Sequence, residues 1–283
     1  MPRPDIMSFN LGFIGGGNMS TALGKGIINN GTHSASKIWV SGPHLKNLIH
    51  WSEMGANITD KNGEVFCNCD VIFLGVKPSL LSTAVTDTLN TLTKSVSCKD
   101  VVFISMLAGI TISSLREVLQ DLSKNIAVIR ILPNMPCTVG AGCCIYSIDS
   151  VVTPQQCSML ENLLGKCSLV EKIPEYLMDS LGSLVGCGPA YIYIVIEALA
   201  DGAVKQGVPR STAQRLAAQM VMGSGQMVLS TGKNPGLLKD EVCSPGGTTI
   251  CGIAALEEGN LRSTFIKAIE ASTKKSQELG KKS

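Results

Sequence analysis

The feature that most restricts this chain lies within its first twenty residues. An apolar run ending Leu11-Gly12-Phe13-Ile14 leads straight into Gly15-Gly16-Gly17-Asn18-Met19-Ser20. Read as G-x-G-x-x-S, Gly15 permits a tight turn after a strand. Gly17 lets the backbone approach a pyrophosphate at the positive end of the helix that follows. Glycine turns occur in every fold, so the motif takes its meaning from its surroundings. Ser20 stands where Gly or Ala is usual, at the point where helix packs on strand.

Those surroundings are βαβ in texture. Apolar, β-branched runs lie at Asn10 to Ile14, Lys37 to Val40, Val71 to Val76, Val101 to Ser105 and Ile126 to Leu132, with amphipathic stretches between them. Continuous apolar runs separated by helical segments signify a parallel sheet buried on both faces. A further strand pair is expected around Cys143 to Tyr146 and Cys167 to Val170. The expected class is therefore α/β, with an N-terminal Rossmann-type doubly wound sheet in residues 1–172.

After Pro174 the texture turns helical. Asp179 to Leu184, Ala190 to Gln206, Arg210 to Ser230, Thr248 to Glu258 and a last helix from Ser263 make residues 173–283 an expected all-helical domain. Pro189 and Pro209 are read as helix starts, and Ser244-Pro245-Gly246-Gly247 as a sharp break. Ala190 to Ala203 is apolar nearly all round and must be buried on every side. An intrachain core would satisfy it; a homodimer satisfies it better in so short a domain.

Composition narrows the field further. A net charge of +2 is too small for a nucleic-acid-binding face, and no run of about 18 apolar residues suggests a membrane span. Met1 to Asn10 carries neither a secretory h-region nor an Arg-rich presequence, which gives a cytoplasmic expectation. The end after Leu279 reads as a short Lys- and Ser-containing tail. Eleven cysteines include Cys67-x-Cys69 and Cys143-Cys144 but no C-x-x-C pair, so they are read as reduced, mostly buried small hydrophobes and no metal is expected.

The second strand selects the cofactor. A site for NAD(H) would carry an acidic residue at its end. Here Val40-Ser41-Gly42-Pro43-His44 is followed by Lys46, so hydroxyl, imidazole and ammonium groups stand ready for a 2′-phosphate. NADP(H) is preferred and NAD(H) is possible. The third strand is expected to end at Gly75-Val76-Lys77-Pro78, placing Lys77 at the rim where open α/β sheets bind ligands; simple cover of the sheet edge is its structural alternative. Asn134, between prolines, is read first as a rigid turn.

Together these segments resemble the pyrroline-5-carboxylate reductase family of proline biosynthesis. The most specific stretch is Val242-Cys243-Ser244-Pro245-Gly246-Gly247-Thr248-Thr249-Ile250, continuing through Ala255-Leu256-Glu257 to Leu261-Arg262. Gly188-Pro189-Ala190-Tyr191, Glu197-Ala198-Leu199-Ala200-Asp201-Gly202, Val76-Lys77-Pro78 and Gly15 to Met19 also match, so the likeness covers essentially the whole chain. It implies hydride transfer from NAD(P)H to the cyclic imine 1-pyrroline-5-carboxylate, a small imino acid, giving L-proline. It also implies a helical domain interlocked across a homodimer, assembled into a decamer in animal members.

Carried over by position, the implied cofactor contacts are Ile14, Gly15, Gly16, Gly17, Asn18, Met19, Gly42, His44, Asn62, Gly75, Val76, Lys77, Pro78, Met106, Leu107 and Ala108, joined by Ser41 from the strand-end reading. Glu175, Ser244, Gly247, Thr248 and Thr249 are the implied substrate contacts. Thr249 is the implied catalytic group, its hydroxyl bonded to the ring nitrogen. Glu241 stands where several animal members have Asn and is left out. An ordinary helix cap would also explain Ser244 and Thr248. The rival enzyme is an NADP-dependent β-hydroxyacid dehydrogenase or an imine reductase of other substrate. Such hydroxyacid enzymes need a helical Lys, and Ala190 to Gln206 offers only Lys205 near its end. The rival of another class is a silent dinucleotide-binding scaffold, against which the intact S-P-G-G-T-T loop speaks.

Overall fold

The computed structural model describes residues 9–92 and 100–280. The expectations of no leader in Met1 to Asn10 and of a Lys- and Ser-containing tail after Leu279 fall mostly on residues 1–8 and 281–283, which lie outside the described residues. Two compact units divide the chain: Met1–Cys187 with Ser272–Ser283, and Gly188–Ala271.

The first unit holds one eight-stranded sheet in the order β3-β2-β1-β4-β5-β6-β7-β8. Its strands are β1 (Leu11–Ile14), β2 (Ile38–Ser41), β3 (Asn57–Thr59), β4 (Val71–Leu74), β5 (Val101–Ser105), β6 (Ile126–Pro133), β7 (Gly142–Ile148) and β8 (Ser168–Lys172). All pairs are parallel except β6 with β7. The helices α1 (Asn18–Asn29), α2 (Ile49–Glu53), α3 (Asn62–Asn68), α4 (Leu81–Asn90), α5 (Ile112–Leu119), α6 (Pro154–Leu164) and α7 (Met178–Gly182) connect and cover it.

Side-chain alternation explains the two covered faces. Leu11, Phe13, Val71, Phe73, Val102, Ile104 and Ile129 enter one core, while Ile14, Ile72, Leu74, Phe103 and Val128 enter the other. Successive strand residues point to opposite faces, so strands feeding two cores must be apolar throughout. Phe13 stacks on Phe73 at 4.8 Å between ring centres. Cys137, Cys144 and Cys167 are buried free thiols in this unit. Burial, then the neighbouring Cys167 sulfur, pushes the Cys137 thiol up to about 11.

Two expectations are corrected here. The run at Val71 is the fourth strand, because Asn57–Thr59 forms a short third strand beside β2. Its three residues, Asn-Ile-Thr, are too few and too polar to stand out as a strand. Pro189 does not begin a helix. Helix α7 passes through a π-helical turn, Ser183–Cys187, directly into α8 (Gly188–Lys205). Pro189 has no N–H for the carbonyl of Val185, four residues earlier. That carbonyl instead accepts a 3.1 Å hydrogen bond from buried Asn134 Nδ2, while Asn134 Oδ1 accepts from Cys143 N at 2.8 Å. Asn134 thus supports an interrupted helix as well as ending a strand.

The second unit contains α8, α9 (Arg210–Thr231), α10 (Pro235–Val242), α11 (Thr248–Glu258) and the first part of α12 (Leu261–Gly280). Helix α10 escaped the sequence reading; Asn234 opens it by accepting from Gly236 N. The unit's buried apolar residues, among those described, are alanines only: Ala200, Ala213 and Ala217. Large side chains such as Ile194, Leu216 and Leu229 lie exposed. Within a single chain, this unit has almost no core. The helical run Glu175–Lys205 is long and apolar enough, by length and composition alone, to cross a membrane. It carries the charges of Asp179, Glu197 and Asp201 along the way.

Candidate functional site

Strand register gathers the expected cofactor residues of the first unit on one rim. Ile14 lies beside Ser41 and Leu74, Ser41 beside Thr59, and Leu74 beside Ser105. The residues just beyond those ends are therefore neighbours: Gly15 to Met19, Gly42 to His44, Asn62, Gly75 to Pro78, and Met106 to Ala108. Hydrogen bonds extend the ladder past the strands, from Gly15 N to Ser41 O, Gly75 N to Ile14 O and Met106 N to Leu74 O. The chain order reverses between β1 and β4, and such a switch point opens a crevice at the strands' carboxyl ends.

Glycine is needed at the centre of that rim. Gly15 has φ +97°, and a β-carbon there would come within 2.8 Å of the Gly75 carbonyl group. One on Gly75 would lie 2.1 Å from Ser20 Oγ. Gly17 differs, since a β-carbon would meet nothing within 4 Å. Among the described residues, open space lies in front of Gly17 at the start of α1 and no side chain caps that helix.

Hydroxyl and indole groups hold the carbonyls of the turn. Ser20 Oγ donates to Gly15 O at 2.5 Å, and Trp51 Nε1 donates to Gly16 O at 3.3 Å. Thr21 Oγ1 lies 3.2 Å from Gly16 O and 2.9 Å from Gly17 O, and Thr21 N also donates to Gly17 O. With three carbonyls tied down, the turn offers an anion N–H groups and the positive helix end. Ser20 is thus more than a small residue in a tight place: its hydroxyl is bonded into the turn. Sequence reasoning missed Thr21 and Trp51; the only signal was a second hydroxyl in the first turn of α1.

The other rim residues divide by exposure. His44, Lys46 and Lys77 are exposed, and among the described residues none of them forms an ion pair. Ser41 is fully buried, and its hydroxyl donates to Asn62 Oδ1 at 2.6 Å. Asn62 Nδ2 donates to Ala84 O. These two side chains brace the rim. Leu107 is buried, while Ala108 is exposed and Met106 lies between.

Glu175 is engaged inside the first unit. Its carboxylate accepts from Ile112 N, at the start of α5, at 2.7 Å and lies 3.3 Å from Arg130 Nη1. Arg130 is buried on β6 and reaches Asp179 at 3.6 Å, which in turn accepts from Ser276 Oγ. Arg130 Nε has no hydrogen-bond partner among the described residues. A buried guanidinium held by two carboxylates joins sheet, α7 and the end of α12.

In the second unit, Ser244 to Gly247 forms a turn closed by Gly247 N to Ser244 O at 3.0 Å, with Gly246 at φ +67°. Gly247 occupies the cap position of α11, and among the described residues no side chain caps it. Ser244 and Thr248 therefore do not act as the ordinary cap that their residue types allow. The first N–H groups of α11 remain for a ligand such as a carboxylate. Ser244 and Thr248 are exposed and Thr249 half-buried. Glu241, close before the turn, pairs with Lys233 at 2.7 Å, which offsets its charge. Among the described residues no group of three or more His, Cys, Asp or Glu is placed to hold a metal ion.

Known proteins match the chain along its length. A family model for pyrroline-5-carboxylate reductase dimerisation matches residues 175–279, and one described as NADP oxidoreductase, coenzyme F420-dependent, matches residues 10–109. Pyrroline-5-carboxylate reductase 3 of Danio rerio is 42% identical over 279 residues, covering 99% of this chain and 94% of the other. The pyrroline-5-carboxylate reductase of Arabidopsis thaliana is 37% identical, with 96% of each covered. The crystal structure of Plasmodium falciparum pyrroline carboxylate reductase with NADP bound aligns at TM-score 0.84 and 31% identity, over 96% of this chain and 98% of that one.

Proposed function

Because the chain belongs to the pyrroline-5-carboxylate reductase family, we propose that its two chemical features, the glycine rim and the S-P-G-G-T-T loop, divide the work of one reaction. The protein is an NAD(P)H-dependent oxidoreductase acting on a C=N bond, and it uses NADP(H). It reduces 1-pyrroline-5-carboxylate to L-proline, the last step of proline biosynthesis.

The cofactor is assigned to the rim. Gly15 to Met19 would hold the pyrophosphate, with the tied carbonyls and the open space at Gly17 as support. His44, Lys46 and Lys77 would meet the 2′-phosphate and neighbouring phosphates with positive or donor groups. Ile14, Gly42, Val76, Pro78, Met106, Leu107 and Ala108 would form the bed, while Ser41 and Asn62 brace it. When bound, NADPH supplies the hydride.

The substrate is assigned to the loop. Ser244, Gly247 and Thr248 would hold its carboxylate at the uncapped start of α11, where N–H groups and helix dipole favour an anion. Thr249 would bond the ring nitrogen, orient the imine and steady its protonated form; that proton is taken up from solvent and stays on the nitrogen of the product. Orientation by such contacts supplies much of the rate. Glu175, anchored by Arg130, is kept among the proposed substrate contacts. The single observation carrying this assignment is the helix start that no side chain caps. The functional boundary is placed between residues 172 and 173, ahead of the segment that matches the dimerisation model.

Thr249→Ala tests the division. We expect turnover to fall about a hundredfold with NADPH affinity unchanged. Equal loss of both would overturn the assignment of Thr249 to substrate.

The chain forms oligomers through its dimerisation domain. The finer assembly is a homodimer, further assembled into a decamer as in animal members; the exposed apolar helices of the second unit support the dimer. A cytoplasmic address is supported by the buried free thiols Cys137, Cys144 and Cys167, which suit a reducing compartment.

A further inference from the structure

The carbonyl side of the glycine turn is held by Thr21 and, behind it, His50. Thr21 has one hydroxyl hydrogen. Two carbonyl oxygens of the turn lie within its reach, Gly17 O at 2.9 Å and Gly16 O at 3.2 Å. His50 Nε2 approaches the same oxygen at 2.9 Å from the opposite element, α2. If the hydroxyl hydrogen goes to the carbonyls, the oxygen can only accept from His50. The imidazole must then carry hydrogen on Nε2 and donate it. With that tautomer, a chain of donors runs from His50 through Thr21 to the carbonyls of Gly16 and Gly17.

The next residue reinforces the same point. Trp51, fully buried, donates its indole N–H to Gly16 O, and a β-carbon on Gly16 would collide with Leu48, Val40 and the Trp51 nitrogen. Consecutive residues of α2 thus grip consecutive carbonyls of the turn, Trp51 directly and His50 through a hydroxyl. Trp51 alone would fix the position of Gly16. His50 adds the orientation of the Gly17 peptide, the one facing open space.

We propose that His50 is a positioning residue for the pyrophosphate turn, acting through Thr21 to keep the Gly16 and Gly17 carbonyls turned away from the bound phosphates. This rests on the assignment of the cofactor to Gly15–Met19. The pyrophosphate is common to NADPH and NADH, so His50 affects both alike and leaves the choice between them to the turn after β2. It does not touch the reacting atoms, so kcat at saturating cofactor is independent of it.

The test measures dissociation constants for NADPH and NADH, with steady-state kinetics, for His50→Leu, His50→Gln, Thr21→Val and the His50→Leu/Thr21→Val double variant. Loss of one hydrogen bond in the chain should weaken each cofactor about five-fold. The NADPH-to-NADH ratio and kcat should stay as in the parent protein. His50→Gln, whose amide N–H can take the same role, should recover most of the affinity. The double variant should be no weaker than Thr21→Val alone, because both changes cut one chain.

Unchanged affinity in His50→Leu overturns the proposal. So does a shifted cofactor ratio, or a loss of kcat shared by the Leu and Gln variants. If His50→Leu does not fold, Thr21→Val and His50→Gln carry the same comparison. Gly17→Asp separates this inference from the one beneath it. A side chain fits there without steric conflict, so it should abolish binding through charge alone. Binding that survives Gly17→Asp removes the cofactor assignment itself, whereas abolished binding with a silent His50→Leu removes only the role of His50.

Discussion

At the residue scale, the chain separates groups that meet a ligand from groups that hold those groups still. His44 is exposed just past β2, whereas Ser41 three residues earlier is buried against Asn62. Both have side chains suited to a phosphate, yet only the first is accessible to one. Ser41 is the last residue of β2 and wholly buried, whereas His44 lies beyond the strand in the exposed turn. His44→Asp should bring a carboxylate to the 2′-phosphate and shift the NADPH-to-NADH preference at least about tenfold toward NADH. Competing steady-state assays with both cofactors would measure it, and an unchanged ratio would take cofactor choice away from this turn.

At the element scale, Asn134 shows how one side chain serves two elements. It offsets the donor that Pro189 cannot supply and satisfies the N–H of Cys143 on β7. Asn134→Leu leaves both buried groups unpaired and should lower stability by about 2–4 kcal/mol. Adding Pro189→Ala should return part of that, because an alanine N–H can reach the Val185 carbonyl again. Thermal denaturation of the two variants checks it; a Pro189→Ala change that gives no recovery would mean the carbonyl was not the cause. The same region marks where sequence reading ends. The β1, β2, β4, β5 and β6 strands were legible, because strands buried on both faces must be apolar runs. The third strand was hidden by its length and polarity, and the π-helical turn by the usual meaning of proline as a helix start. The loop Ser244–Thr249 was legible as a motif, but its missing cap was not, since Ser and Thr are the residues that ordinarily provide one. Glu175 was visible as an acidic residue before a helix; its tie to Arg130, 45 positions away, depends on tertiary structure.

At the scale of the whole molecule, the two units are built differently. The first has a large core on each face of its sheet. Among the described residues, the second buries no apolar side chain but alanines and exposes Leu229 at 78% and Ile194 at 65%. Monomeric proteins rarely leave such apolar surface uncovered, and a dimerisation domain gives it a cover. Ile194→Glu and Leu229→Glu should each reduce the mass measured by light scattering. Unchanged mass in both would place the subunit contacts elsewhere.

The central claim is that this chain is a reductase whose substrate is a small cyclic imino acid. The most direct measurement is cofactor consumption by the purified protein, followed by the absorbance of reduced nicotinamide. NADPH should disappear only when 1-pyrroline-5-carboxylate is added, with L-proline formed in equal amount. Clear binding of NADPH with no proline formed would contradict the claim.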